Sequence, residues 1–391
     1  MSNVVGMDDI RAQSDGPASG PASRTAEVRY GIVGTGYFGL ALGRGLMRLP
    51  GARITRVYDP EHAAAALEFG AVATASVDEL CASPDVDAVI VASPNWAHRE
   101  AAVLAAQAGK PVFSEKPIAL SYADCSAMVD AAAEASVLFM AGHVMNFMNG
   151  VRLAKRLIAD GTLGKVLFCR AVRTGWEDPQ PSISWKKQRA LSGGHLYHHI
   201  HELDVVQFIM GPAETVTMVG GNVAHRGEQF GDEDDMLLIT LEFGDDAFAT
   251  LEYGSAFRWP EHHLLIQGTR GAVMIDMQQT GVTVRIGDRV EEHLLHRTAE
   301  EDAQRTATYA RSETSGAISY GNPSTVPPLW LTGIVEEEMA YFHGLLQGAA
   351  PEPEFAALTD GTAARAAIAT ADALSLSLAE NRKVEVAEIT G

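Results

Sequence analysis

The segment VRYGIVGTGYFG, residues 28–39, constrains the fold of this chain more than any other. A short β-branched run ends in glycine, and Gly34, Gly36 and Gly39 follow in the spacing G-x-G-x-x-G as a helix-like segment opens. Strand, glycines and helix in that order are the context a dinucleotide-binding turn requires. Gly34 permits the tight turn. Gly36, with Tyr37 and Phe38 after it, lets the backbone approach a pyrophosphate, and Gly39 lets helix and strand pack closely. The helix N-terminus then offers free N–H groups to phosphate. Asp59 ends the next strand-like run, twenty residues after Gly39. A carboxylate there accepts hydrogen bonds from ribose hydroxyls and repels a 2′-phosphate, so NAD is expected rather than NADP. The plainer alternative is a Gly-rich turn with Asp59 as a helix cap before Pro60.

From residue 28 to about 145, apolar runs alternate with Ala-rich helix-like segments. That texture indicates an α/β fold, a doubly wound parallel sheet covered on both faces. From 146 to 391 the pattern changes to consecutive strand-like runs with turn residues between, then to helices. A second α/β domain with a large open, mostly antiparallel sheet is expected there. The 391 residues suit two domains. Residues 1–27, rich in Gly, Pro, Ser and Asp, read as a disordered leader.

The formal charge of −20 makes nucleic acid and anionic membrane poor partners. No apolar run has the length of a membrane span. Cys81, Cys125 and Cys169 lie far apart and form no CxxC pair, which suits a reducing, cytoplasmic setting.

Two loops fall where open α/β sheets place ligands, at the carboxyl ends of strands. One holds Ser93, Pro94, Asn95 and His98; the other holds Glu115 and Lys116. A lysine directly after a buried strand needs a use for its charge, or else snorkels to the surface.

The stretch SGGHLYHHIHELD, residues 192–204, holds His195, His198, His199 and His201. Read as one helix from about His195 to Met210, it puts Tyr197 and His201 on one face, at i and i+4. His198 borders that face, while His195 and His199 share another. A histidine near its ordinary pKa can take and return a proton. The rival reading is a metal held by His198 and His201, or by His195 and His199; it needs a third ligand from elsewhere, and no metal is assigned. Satisfied polar histidines are the bland alternative, His199 above all. Asn146, at the domain junction, and Trp185, before the His-rich helix, are candidate substrate contacts, with capping and packing as their alternatives.

The ordered set GTGYFG, SPNWAH, EKP, AGH, GG…HELD and GTRGAV resembles the glucose–fructose oxidoreductase/inositol dehydrogenase (Gfo/Idh/MocA) family across residues 28–386. The resemblance implies NAD(P)-dependent oxidation or reduction of a hydroxyl on a sugar, cyclitol or related compound. It implies that Lys116 lies near the nicotinamide and the reacting hydroxyl, and that His201 is the acid/base. It also implies self-association, as dimer or tetramer. The family's aspartate four residues before that histidine is Tyr197 here, which suggests a substrate hydrogen bond or a proton relay instead. The substitution resembles a branch that oxidises the C3 hydroxyl of glucosides, and that activity is the expectation. The alternatives are an inositol dehydrogenase, a glycosidase that recycles its NAD with a tyrosine as base, and a non-enzymatic dinucleotide sensor.

Overall fold

The computed structural model describes residues 27–279, 281–311 and 327–391; the leader, apart from Glu27, lies outside them. Six strands form the first sheet: β1 (Val28–Val33), β2 (Ala52–Tyr58), β3 (Val72–Ala73), β4 (Ala88–Val91), β5 (Val112–Glu115) and β6 (Phe139–Gly142). All pair in parallel, in the order β3-β2-β1-β4-β5-β6. β4 and β5 are buried along their whole length, which is why their sequences are continuous rather than alternating. The crossover helices start at local signals. Ser76 accepts from the Glu79 amide while Glu79 reaches back to the Ala75 amide, and Ser121 accepts from the Asp124 amide.

The second sheet has nine strands: β7 (Val166–Trp176), β8 (Thr215–Gly221), β9 (Met236–Phe243), β10 (Ala247–Gly254), β11 (Ala256–Gly268), β12 (Gly271–Asp276), β13 (Gly281–Ile286), β14 (Arg289–His293) and β15 (Val384–Glu385). Their order is β14-β13-β12-β11-β7-β10-β9-β8-β15, antiparallel except where β10 runs parallel to β7. The expected mostly antiparallel second sheet is present. One face is covered by the helices His201–Met210 and Thr362–Glu380. The chain also returns to the first sheet: helix Leu329–Leu346 packs on helix Tyr37–Leu46, and the buried Tyr30 hydroxyl lies 2.7 Å from His343 Nδ1.

The expected single helix from His195 to Met210 is two helices, Gly194–His198 and His201–Met210. His199 leaves the helical region, with φ −109° and ψ 39°. The start of the first helix is fixed separately. Gly193 and Gly194 both take left-handed φ, and a Cβ on Gly193 would meet the Tyr197 Cβ at 2.7 Å. The first short helix is therefore clamped close to its own start, while Tyr197 is tied to the 362–380 helix behind it. The i, i+4 relation between Tyr197 and His201 does not exist in the folded chain.

Candidate active site

A cleft of about 680 Å³ runs from the glycine turn to the second sheet. Its first half is lined by Gly34, Gly36, Tyr37, Phe38, Asp59, Ser93, Pro94, Asn95, His98, Glu115 and Lys116. These are the expected cofactor residues except Gly39, which acts in packing: a Cβ there would stand 2.0 Å from the Gly34 carbonyl oxygen. At Gly36 an added Cβ would meet nothing within 4 Å, so the turn presents open space where a pyrophosphate would lie. The cradle fits a dinucleotide.

Asp59 lines the cleft and is also the helix cap of the plainer reading. It stands on the cleft wall, and its carboxylate accepts the Thr35 amide (2.7 Å) and hydroxyl (3.0 Å) and caps the Glu61 and His62 amides (2.9 Å each). Burial raises its pKa, and these hydrogen bonds together outweigh that and lower it. His98 lies between the two loops, 2.9 Å from the Pro117 carbonyl and 2.7 Å from the Ser93 carbonyl. Asn95 donates to the Ser192 carbonyl (2.8 Å), fixing the dinucleotide half to the start of the His-rich segment.

Lys116 reaches across the cleft. Its Nζ donates to the His198 carbonyl at the helix break (3.2 Å). Burial pulls its pKa well below the ordinary lysine value, against the opposing pull of Glu115; burial also pushes Glu115 well above the ordinary carboxylate range. His198, His199 and His201 all line the cleft. Burial, together with the Lys116 charge, holds His201 and His198 far below the ordinary imidazole value, so both are neutral.

Four sequence expectations need correction. Tyr197 does not line the cleft: it is buried, and its hydroxyl donates to Asp372. His195 is buried beneath His199, with ring centroids 4.4 Å apart, and is pushed down to about 3, burial being the first cause. Asn146 is fully buried and donates to Asp204 Oδ2 (3.1 Å), a structural tie. His199, read above all as a satisfied polar histidine, lines the cleft wall. Trp185 stands in the cleft, edge-on to Trp96 at 5.2 Å. Among the described residues, no group of three or more His, Cys, Asp or Glu side chains is arranged to hold a metal ion.

The second half of the cleft brings His262 from β11, within the stretch Arg258–His263 whose sequence suits a cleft or an interface, and three residues that the sequence pattern did not single out: Arg173 from β7, and Arg305 and Tyr309 from helix Ala299–Arg311. Behind them lies Glu202, fully buried. Its Oε1 is 2.8 Å from His262 Nε2 and 3.4 Å from Arg173 Nη1, and His262 Nδ1 is 2.8 Å from the Tyr309 hydroxyl. Burial would raise the Glu202 pKa, but Arg173 and the His262 hydrogen bond outweigh it and hold it at about 2. The result is a carboxylate–imidazole–phenol chain that opens on the cleft at Tyr309.

A dinucleotide turn, a lysine and a histidine cluster opposite it, and a nine-stranded sheet behind them define a two-domain oxidoreductase. The chain belongs to the Gfo/Idh/MocA oxidoreductase family: residues 28–143 match its NAD-binding Rossmann fold and residues 155–386 its C-terminal alpha/beta domain. Among similar proteins, 2,7-anhydro-N-acetylneuraminate hydratase of Mediterraneibacter gnavus is 56% identical over 366 residues, 93% of this chain and 98% of that protein. The protein of the same name from Escherichia coli is 52% identical over 364 residues, 93% and 98% of the two chains. A solved structure of levoglucosan dehydrogenase in complex with NADH and levoglucosan superposes with a TM-score of 0.74 at 23% identity, covering 92% of this chain and 99% of that one, and shows the shared fold. No described helix is long and apolar enough to cross a membrane.

Proposed function

We propose that this enzyme opens the internal anhydro bridge of a 2,7-anhydro sialic acid by net addition of water, using NAD as a recycled cofactor. The observation that carries this is identity above one half, over nearly the full length, with two proteins named for that hydration. It replaces the expected C3 dehydrogenation of a glucoside and keeps the recycled-NAD alternative, with a different tyrosine.

The site supports the chemistry as follows. In a 2,7-anhydro sialic acid, C2 carries the bridge oxygen, C3 is a methylene and C4 carries a hydroxyl. Bound NAD would take a hydride from C4 and later return it, so that C4 is a ketone in between and the C3–H is acidic. Lys116, charged, holds the C4 oxygen and stabilises negative charge on it. His201, neutral, accepts the hydroxyl proton and gives it back at the end. Tyr309 takes the C3 proton while passing its own to His262, whose imidazolium Glu202 stabilises. Loss of that proton expels the bridge oxygen from C2, and this oxygen takes up a proton as it leaves. Water then adds at C2, a proton returns to C3, and the sum is one water gained with no net redox change. Asp59 on the wall favours NAD over NADP.

Self-association through the open face of the second sheet belongs to the same reading. Val219, Leu238 and Phe248 are exposed on adjacent strands there.

The test is to incubate the protein with a trace of NAD and 2,7-anhydro-N-acetylneuraminate in D₂O and follow the sugar by NMR. Free N-acetylneuraminate carrying deuterium at C3, without net NADH, is the expected result. Stoichiometric NADH would return the enzyme to the simple dehydrogenases. No conversion at all would sink the hydratase reading.

A further inference from the structure

The charge on the cleft walls is divided. The half near the glycine turn carries Asp59, Glu61, Asp78, Glu100 and Glu115 against one lysine, Lys116. The wall contributed by residues beyond 150 carries Arg173, Lys186 and Arg305 and no carboxylate. In a chain of net charge −20, that concentration of cations is opposite to the average surface.

Arg305 is the unusual member. It is the largest fully buried side chain among the described residues, 1% exposed, yet it lines the cleft. Its Nη1 donates to the Asp276 carbonyl (3.0 Å). Its Nε stands 3.7 Å from Asp302 Oδ1, outside hydrogen-bond reach, and neither Nε nor Nη2 has a hydrogen-bond partner among the described residues. Asp302 is already engaged by the Leu295 amide (2.9 Å), the His296 amide (3.2 Å) and His296 Nδ1 (2.8 Å). A buried guanidinium with two unpaired N–H edges is costly unless an anion completes it. The missing partner is planar, since Nε and Nη2 form the fork edge that binds carboxylate in two parallel hydrogen bonds. Arg173 and Arg305 both act on His262, and Arg173 and Lys116 both act on His201.

We propose that Arg305 is the anchor of a carboxylate subsite, so that the enzyme selects acidic sugars and rejects their neutral counterparts. The inference deepens the proposed function and rests on it for the identity of the acid, though acid selection itself rests on the wall alone. Arg305 orients the sugar by its carboxylate, and Arg173 and Lys186 supply the field that draws an anion into the cleft of an acidic protein.

The test titrates N-acetylneuraminate, its methyl ester, glucuronate and glucose into NAD-saturated wild type, Arg305→Met and Arg305→Lys by calorimetry. Wild type should bind N-acetylneuraminate about tenfold or more tighter than its ester, the difference expected of charge-assisted hydrogen bonding. R305M should erase that difference by weakening the acid alone, and R305K should keep part of it. Equal weakening of acid and ester in R305M would mean a structural role and overturn the proposal. So would a wild type that does not distinguish acid from neutral partner, or that binds none of the four. The hydratase reading fails separately: glucuronate is preferred over glucose through Arg305, yet the anhydro sialic acid is not turned over.

Discussion

His262 Nε2 lies 2.8 Å from Glu202 Oε1, and that contact decides what the other ring nitrogen does. Glu202 is ionised, so it accepts, and Nε2 carries the hydrogen. Burial lowers the His262 pKa against the pull of Glu202, leaving the ring neutral. Nδ1 is then bare and accepts from the Tyr309 hydroxyl, 2.8 Å away. Tyr309 also lines the cleft. In the proposed reaction Tyr309 gains a proton from substrate as it loses one to His262.

Tyr309→Phe removes that step and little else, since the ring remains. We expect kcat to fall by about 10²–10⁴, the usual worth of a positioned acid/base, with KM nearly unchanged. Deuterium wash-in at C3 should fall in parallel. A variant with normal exchange would relieve Tyr309 of the role.

Glu202 also links stability to pH. Its folded pKa of about 2 lies below the ordinary 4.5, so its stabilisation is full above the unfolded value and is lost as pH falls through the folded one. The shift corresponds to about 3 kcal/mol. Denaturant melts of wild type and Glu202→Gln should differ by about that amount at neutral pH, and the gap should narrow between about pH 5 and pH 2. A gap independent of pH would mean that the carboxylate's charge is not what stabilises.

Lys116 is needed charged, and burial lowers its pKa. The alkaline limb of kcat/KM should therefore lie well below the ordinary lysine value of about 10.4. Lys116→Met should cost about 10²–10³ in kcat, as for loss of one oxyanion donor. Arginine does not titrate in this range, so whatever activity Lys116→Arg retains should lack the limb. A limb that survives in K116R belongs to another group.

Much of the dinucleotide half was legible because its signals are local. The glycines, Asp59 and the two loops are each fixed by backbone geometry within a few residues of a strand end. The substrate wall was not legible, because its parts come from distant segments. Arg173 sits on a strand whose alternation says only that one face is wet, and Arg305 lies on a helix that the sequence pattern did not mark and is buried only by the fold. The reading of Tyr197 failed for a different reason. Helical spacing from Tyr197 to His201 passes through His199, where the chain leaves the helix and resets the direction of the side chains that follow.

Asp59 bears on cofactor choice. Its carboxylate stands on the wall where a 2′-phosphate would be repelled, so NAD should bind at least about tenfold tighter than NADP. Fluorescence titration of both dinucleotides measures the ratio. Asp59→Asn should narrow it, and it should also weaken NAD, because Thr35 and the caps at Glu61 and His62 depend on the same carboxylate. An unchanged ratio in D59N would place the discrimination elsewhere.

Tyr197 gives the sharpest separation between what the spacing suggested and what the fold does. Its hydroxyl donates to Asp372 on the 362–380 helix, away from the cleft. Removing the hydroxyl leaves that carboxylate short of a partner in a largely buried place, at a cost of about 1–3 kcal/mol. Tyr197→Phe should therefore lower the denaturation midpoint while kcat and KM stay within about threefold of wild type, a change equivalent to under about 1 kcal/mol. Tyr309→Phe should lose turnover, and because it too gives up a hydrogen bond, the one to His262 Nδ1, it is activity rather than stability that separates the two variants. If Y197F instead loses turnover at full stability, the tyrosine in the place of the family aspartate acts on the substrate after all, and the assignment of Tyr309 as base falls with it.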